Sequence, residues 1–143
     1  MTGLKIFCAV RHTPVARTPE ECVRQNLLRS FFTIGGYPEH LTRVEMPLDF
    51  FAPPNACPQR RLDIVCFYKK SDALLPLLIV ECKASVPQAR ANLQLFGYNF
   101  HAKAPFTALA WQDSIILYHG KTLCYEGGFQ DFPTYQGLLQ KNP

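Results

Sequence analysis

Two carboxylates and an amine stand out in the chain: Asp63, then Glu81 and Lys83, carried on two apolar segments with a short polar stretch between them. Residues 62–68 and 77–82 read as strands. Lys69, Lys70, Ser71, Asp72 and Ala73 read as the turn of an antiparallel hairpin. Directly opposed positions of such a hairpin have residue numbers that add to a constant. For Asp63 and Glu81 the constant is 144, which centres the turn on Asp72, in the middle of the polar stretch. The simplest register therefore sets Asp63 beside Glu81, with Cβ atoms about 4.5–5.5 Å apart. Lys83 lies two residues past Glu81 and shares its face.

Opposed like charges destabilise a sheet, and carboxylates shielded from water need partners. A divalent cation removes that penalty. Mg²⁺ takes oxygen ligands, keeps several waters, and is usually held by one or two carboxylates together with substrate phosphate. An adjacent lysine can orient an attacking water or stabilise charge on the phosphate. The residues alone leave two readings open: metal-assisted phosphodiester hydrolysis, or a strand-end salt bridge in which Lys83 neutralises both acids.

The elements that must position these groups are legible in outline. Residues 4–10 alternate as a short strand. Thr18-Pro19-Glu20-Glu21 is a capping box with proline at the first helical position, and Val23, Leu27, Leu28, Phe31 and Phe32 continue it as a helix over 19–34 that stops at Gly35-Gly36. Residues 43–51 alternate as a half-buried strand, which Pro47 pushes to a sheet edge or bulge. Residues 52–59 form a loop. A second capping box, Ser85-Val86-Pro87-Gln88, predicts a helix over 87–101 with Ala91, Leu95 and Tyr98 on one face. Residues 106–111 and 115–118 form another hairpin, extended by 122–125, and the tail from Gly127 carries no signal. The order helix, strands, helix, strands predicts an α/β or α+β domain: a mixed central sheet flanked by two helices.

A chain of 143 residues fits a single domain, and 48% hydrophobic content is enough for a core. Its net charge of +4 is mildly basic, compatible with nucleic acid but unlike a histone-type tail. Six cysteines fall short of a disulfide scaffold and include no Cys-x-x-Cys, so reduced thiols are expected and a zinc site is not. The longest apolar stretch, residues 73–80, contains Pro76 and is far short of the ~20 residues a spanning helix needs. Residues 6–10 are too short for a signal-peptide core. The expectation is a soluble, unexported, cytoplasmic domain.

Arg61-Leu62-Asp63, then an apolar strand into Glu81-Cys82-Lys83-Ala84, then a helix bearing Gln94 and Tyr98-Asn99, resembles the PD-(D/E)xK nuclease superfamily. More narrowly it resembles the N-terminal nuclease domain of type I restriction endonuclease R subunits, over roughly residues 18–112. Glu21 with Val23-Arg24-Gln25, Gly36-Tyr37-Pro38 and Glu45 fit the same pattern. The resemblance implies a restriction-endonuclease-like core and a metal-dependent deoxyribonuclease. Asp63 and Glu81 would be ligands of Mg²⁺, with Mn²⁺ able to substitute, and the Cys82 backbone carbonyl a third ligand. Lys83 would be the catalytic lysine, Gln94 the glutamine that follows the lysine motif, and Glu21 the first-helix carboxylate reaching the metal or its water. Three departures stand against it. Leu62 precedes Asp63 where the superfamily's name has proline; Trp111-Gln112-Asp113 replaces a frequent Asn-Gly; and the R subunits continue into a DNA translocase where this chain ends, as a stand-alone relative or part of a split system would.

Glu21 has a second reading as the third residue of the capping box, and Gln94 as an exposed helix residue beside the packed stripe. Arg24, Arg29, Arg60, Arg61, Lys69 and Lys70 are candidates for phosphate contacts, with solvated faces the alternative for each; Arg61 stands closest to Asp63. Beside the nuclease stands a reading from another class: a catalytically silent, nuclease-like DNA-binding or assembly module that needs a translocase partner. DNA, another restriction-system subunit and a second copy of the chain are the expected partners, and a membrane is not.

Overall fold

The computed structural model describes residues 3–52 and 60–142, so most of the loop expected at 52–59 lies outside the described residues. It opens with a two-stranded antiparallel hairpin, β1 (Lys5–Cys8) and β2 (Thr13–Ala16). Only the first strand is visible in the sequence, because Pro14 and the lack of alternation hide the second. Helix α1 (Pro19–Thr33) starts where expected: the Thr18 Oγ1 accepts from the Glu21 amide at 3.1 Å. The reciprocal half of the capping box does not form. The Thr18 amide donates to the Ala16 carbonyl, and the Glu21 carboxylate is drawn elsewhere. The helix ends at Thr33 with Ile34 as its cap, and the chain turns away at Gly35, where a Cβ would stand 2.8 Å from the Tyr37 ring, which stacks on Phe31.

A six-stranded mixed sheet follows in the order β3-β4-β5-β6-β7-β8. Strand β3 (Thr42–Pro47) occupies an edge, as Pro47 requires, and the chain then turns into a 3-10 segment over Leu48–Phe50 instead of continuing as strand. Strands β4 (Arg61–Lys70) and β5 (Ala73–Lys83) form the long central hairpin. Helix α2 (Ala91–Ala102) crosses back over the sheet, so β6 (Phe106–Trp111) lies parallel to β5. Strands β7 (Ser114–His119) and β8 (Thr122–Gly128) complete an antiparallel meander.

The second capping box is not used. Helix α2 begins at Ala91 with no side-chain cap, four residues after the position predicted from Pro87. A parallel neighbour has to be reached by a crossover, and residues 84–90 carry the chain clear of the β5 end before the helix can turn back. The tail carries a third helix, α3 (Tyr135–Gln140), too short to show a stripe in the sequence. It is fixed by tertiary bonds: the Tyr135 hydroxyl donates to the Phe67 carbonyl at 2.9 Å, and the Tyr37 hydroxyl to the Pro133 carbonyl at 2.7 Å.

Helices α1 and α3 cover one face of the sheet, packing Val23, Leu27, Phe31, Tyr135 and Leu138 onto Ile64, Leu78, Val80 and Leu117. Helix α2 covers the other, with Leu95 and Ala102 against Val65, Phe67, Ile79 and Leu109. The expected α+β architecture is present, with the third helix and the N-terminal hairpin added. Among the described residues no helix is long and apolar enough to cross a membrane.

Candidate functional site

Asp63 and Glu81 do come together, by a route the simple hairpin argument missed. The turn is only Ser71 and Asp72, with Ser71 at a φ of +56°. Lys70 therefore faces Ala73, and the register runs unbroken to Phe67 facing Pro76. Continued, it would set Asp63 opposite Val80. Between Phe67 and Cys66 the pairing shifts: Cys66 faces Leu78, leaving Leu77 as an extra residue, and Ile64 then faces Val80. This bulge restores the constant of 144 and points Glu81 at Asp63. Pro76, which cannot donate to the ladder, sits beside it, as prolines within sheets tend to.

Strand alternation also breaks at the site. Ile64 and Cys66 enter the α1-side core, whereas Leu62 and Val65 both enter the α2-side core. Glu45, at the level of Asp63 on the neighbouring strand, has a φ of +50°, strained for a residue with a Cβ. Asp63 thus stands at a twist point reachable from both faces. Its Oδ2 accepts from the Cys82 amide at 2.7 Å and its Oδ1 from Arg24 Nη1 at 3.3 Å.

Arg24 is the centre of an ion-pair network. It is only 5% exposed. Its Nη2 lies 2.6 Å from Glu21 and 3.4 Å from Glu45, while Nη1 reaches Asp63. Burial works against the guanidinium charge, but Glu21, Asp63 and Glu45 more than offset it, and its pKa is raised. Arg11, from the turn of the β1–β2 hairpin, adds contacts to Glu21 at 3.1 Å and Glu45 at 3.0 Å. Gln25 Nε2 donates to the second Glu21 oxygen. Burial raises the Glu21 pKa, yet Arg24, Gln25 and Arg11 outweigh it, so the carboxylate titrates below its usual range.

Glu21 therefore does not touch Asp63; Arg24 stands between them. The same geometry corrects the expectation for Arg24, whose guanidinium is sealed among carboxylates and has no surface to offer a phosphate. At i+3 from Glu21 it lies on the helix face that meets the end of the sheet, where unpaired acids would otherwise be buried. Arg11 carried no local signal in the sequence, since only the folded hairpin brings it to the site.

The network neutralises one side and leaves the other open. Among the described residues Glu81 makes no ion pair, and neither does Lys83. Burial, then the neighbouring Asp63 carboxyl, pushes the Glu81 pKa well up. Two acids side by side, one lacking a cationic partner, suit a hard divalent cation on oxygen ligands. Among the described residues no group of three or more His, Cys, Asp or Glu side chains is placed to hold a metal, so an ion at this point would have to rest on the two carboxylates and on backbone oxygen.

Lys83 and Gln94 line one cleft of about 530 Å³, together with Ser85, Gln88, Arg90 and Glu20. Gln94 is exposed and reaches this cleft from α2. Tyr98, one turn on, has its hydroxyl pKa raised by burial and then by Glu81, and accepts from Arg60 Nη1 at 2.9 Å. Arg61 is exposed beside the site and donates to the Glu45 carbonyl at 3.1 Å. Lys69 and Lys70 are at the far end of the hairpin, six or more residues from Asp63, about 20 Å along the strand. They share no surface with the acids, because the hairpin that pairs Asp63 with Glu81 must place its turn at the opposite end. The buried Cys82 contributes its amide to Asp63.

No curated protein and no solved structure matches the chain. One family model does, that of the Type I restriction enzyme R protein N terminus (HSDR_N), over residues 19–127. The match runs from the first turn of α1 to the end of β8 and so contains Glu21, Arg24, Glu45, Asp63, Glu81, Lys83 and Gln94, leaving the Arg11 hairpin outside. With most of its length and the whole acidic site inside that match, the chain belongs to the family of type I restriction enzyme R protein N-terminal domains.

Proposed function

We propose that this chain is a metal-dependent nuclease domain of the PD-(D/E)xK type that hydrolyses DNA phosphodiester bonds. The observation that carries the reading is the bulge-set pairing of Asp63 with Glu81, with Lys83 on the same strand at the mouth of an open cleft. Asp63 and Glu81 would hold Mg²⁺ or Mn²⁺, with the Cys82 carbonyl as a third ligand. The ion would supply a more acidic water and positive charge beside the phosphate oxygens.

The remaining steps belong to the chain's own residues. Arg24 and the Cys82 amide fix the Asp63 carboxylate while leaving lone pairs on both oxygens. Lys83, with no carboxylate of its own to neutralise, directs its ammonium to the attacking water and the phosphate oxygens. Gln94 donates to the substrate from the opposite wall of the cleft. Glu21 acts through Arg24 as a positioning residue. Other subunits of a restriction system, a translocase among them, are the partners this reading implies, and pairing of two copies would allow both strands to be cut.

One observation favours the second reading, a silent binding or assembly module: Arg24 already compensates part of the Asp63 charge. A single experiment separates the two. Purified protein is incubated with supercoiled, linear and single-stranded DNA in Mg²⁺, Mn²⁺ or EDTA, beside Lys83→Ala. Metal-dependent cutting that the variant lacks supports the nuclease. No cutting in any metal overturns the stand-alone enzyme, and recovery of cutting on adding a translocase subunit then identifies a dependent one.

A further inference from the structure

The cleft that Lys83 and Gln94 share is lined by neither Asp63 nor Glu81, and apart from Lys83 and Gln94 the chemistry above does not use it. It lies between the end of β5 and the start of α2, and its volume of about 530 Å³ falls within the range of about 300–1,000 Å³ typical of ligand sites. Its far wall is formed by residues 84–90, an open loop that takes in 87–90, the first residues of the helix the sequence predicts. Arg90 stands on this wall, exposed and, among the described residues, in no ion pair or side-chain hydrogen bond. Ser85 and Gln88 add an exposed hydroxyl and amide. The one acid on the lining, Glu20, is an exposed first-turn residue of α1.

Two cations against one acid distinguish this cleft from two other grooves among the described residues. The groove beside Trp111 holds Glu126 and no cation, and the one beside Arg29 holds Asp113 and Asp131. An arginine held by three carboxylates, such as Arg24, is spent on the fold. Arg90 is not, and its planar guanidinium is suited to a bidentate contact with a phosphate.

We infer that the β5–α2 cleft binds the nucleotide next to the cut bond, with Arg90 gripping its phosphate on the side of Lys83 away from the acids. The inference rests on the nuclease reading and names where its substrate strand runs. Phosphate contacts of this kind set position and affinity without reading sequence.

The test is the salt dependence of DNA binding, measured by fluorescence anisotropy of a labelled duplex in EDTA, where no cutting occurs. Each phosphate contact contributes about 0.9 to the slope of log affinity against log salt on duplex, and about 0.7 on single strands. Arg90→Gln is expected to lower the slope by that amount and to weaken binding, and Arg90→Glu to weaken it further. Lys121→Gln, in the β7–β8 turn at the opposite end of the sheet, is expected to leave the slope unchanged. Arg90→Gln with the wild-type slope and affinity overturns the cleft assignment alone, if the wild type still binds and cuts. A wild type that neither binds nor cuts DNA overturns the assignment together with the nuclease reading.

Discussion

Arg24 is the residue on which the architecture of the site can be tested without any activity. Arg24 and Glu21 are each 5% exposed, their charged groups lie 2.6 Å apart, and Glu45 and Asp63 depend on the same guanidinium. Arg24→Met keeps much of the aliphatic stem and deletes the charge, leaving Glu21 and Glu45 to share Arg11 and Asp63 without its ion pair. Breaking a buried pair by removing one partner costs about 3–5 kcal/mol, because the other charge stays buried. For a chain of this size that is a fall in Tm of about 12–20 °C. Urea and thermal unfolding in EDTA measure it. Glu21 titrates below its usual 4.5 in the folded protein, so the stability it contributes is present above that value and is lost as pH falls through the folded pKa. The gap between wild type and Arg24→Met must therefore narrow as pH drops below about 4.5. Adding Glu21→Leu to Arg24→Met should recover part of the loss, since the stranded acid is gone. A loss under about 1 kcal/mol, or a gap that widens in acid, refutes the reasoning.

Glu81 should behave in the opposite sense. Its folded pKa lies above the ordinary 4.5, chiefly through burial and then Asp63, so the folded state keeps a proton that the unfolded state releases. In EDTA, stability should fall as pH rises from about 4.5 through the folded pKa, and Glu81→Gln should flatten that fall and abolish stabilisation by Mg²⁺; an unchanged slope in the variant would count against a raised Glu81. Deleting Leu77 removes the bulge by making Pro76 and Leu78 consecutive opposite Phe67 and Cys66, so the ladder closes with Ile64 still facing Val80 and Asp63 still level with Glu81. The variant should keep metal-dependent cutting while losing, with a fully buried leucine gone, more than about 2 kcal/mol of stability; a folded deletion variant that no longer cuts would show that the pairing of the two acids is not enough to set the site.

Where signals were local, the sequence was enough. Thr18 and Pro19 start α1 because a cap and a proline act on the first turn alone. Pro47 sends β3 to the sheet edge because proline has no amide to give an inner ladder. Asp63, Glu81 and Lys83 could be grouped because residues two apart share a strand face, and a hairpin limits what can face what. The failures share a cause. Ser85 to Gln88 is as good a cap pattern as Thr18 to Glu21, yet the chain needs those residues to leave the β5 end. Helix α3 is too short to announce itself, and it is held by Tyr135 reaching Phe67 across the core. Pro76 was the visible trace of the bulge, but its effect on register depends on how β4 and β5 pair.

The sequence by itself determined which groups this domain can offer for chemistry: two acids and a lysine on adjoining strands, inside a pattern that marks the family of type I restriction enzyme R protein N-terminal domains. Tertiary structure decided how their charges are balanced. Arg24 carries the same charge as Arg90, and nothing local tells them apart. One is buried where three acids converge from a helix and two strands, and the other is left exposed on an open loop. Coulombic energy depends on distance and on shielding from water, and both are set by packing between segments far apart in the chain.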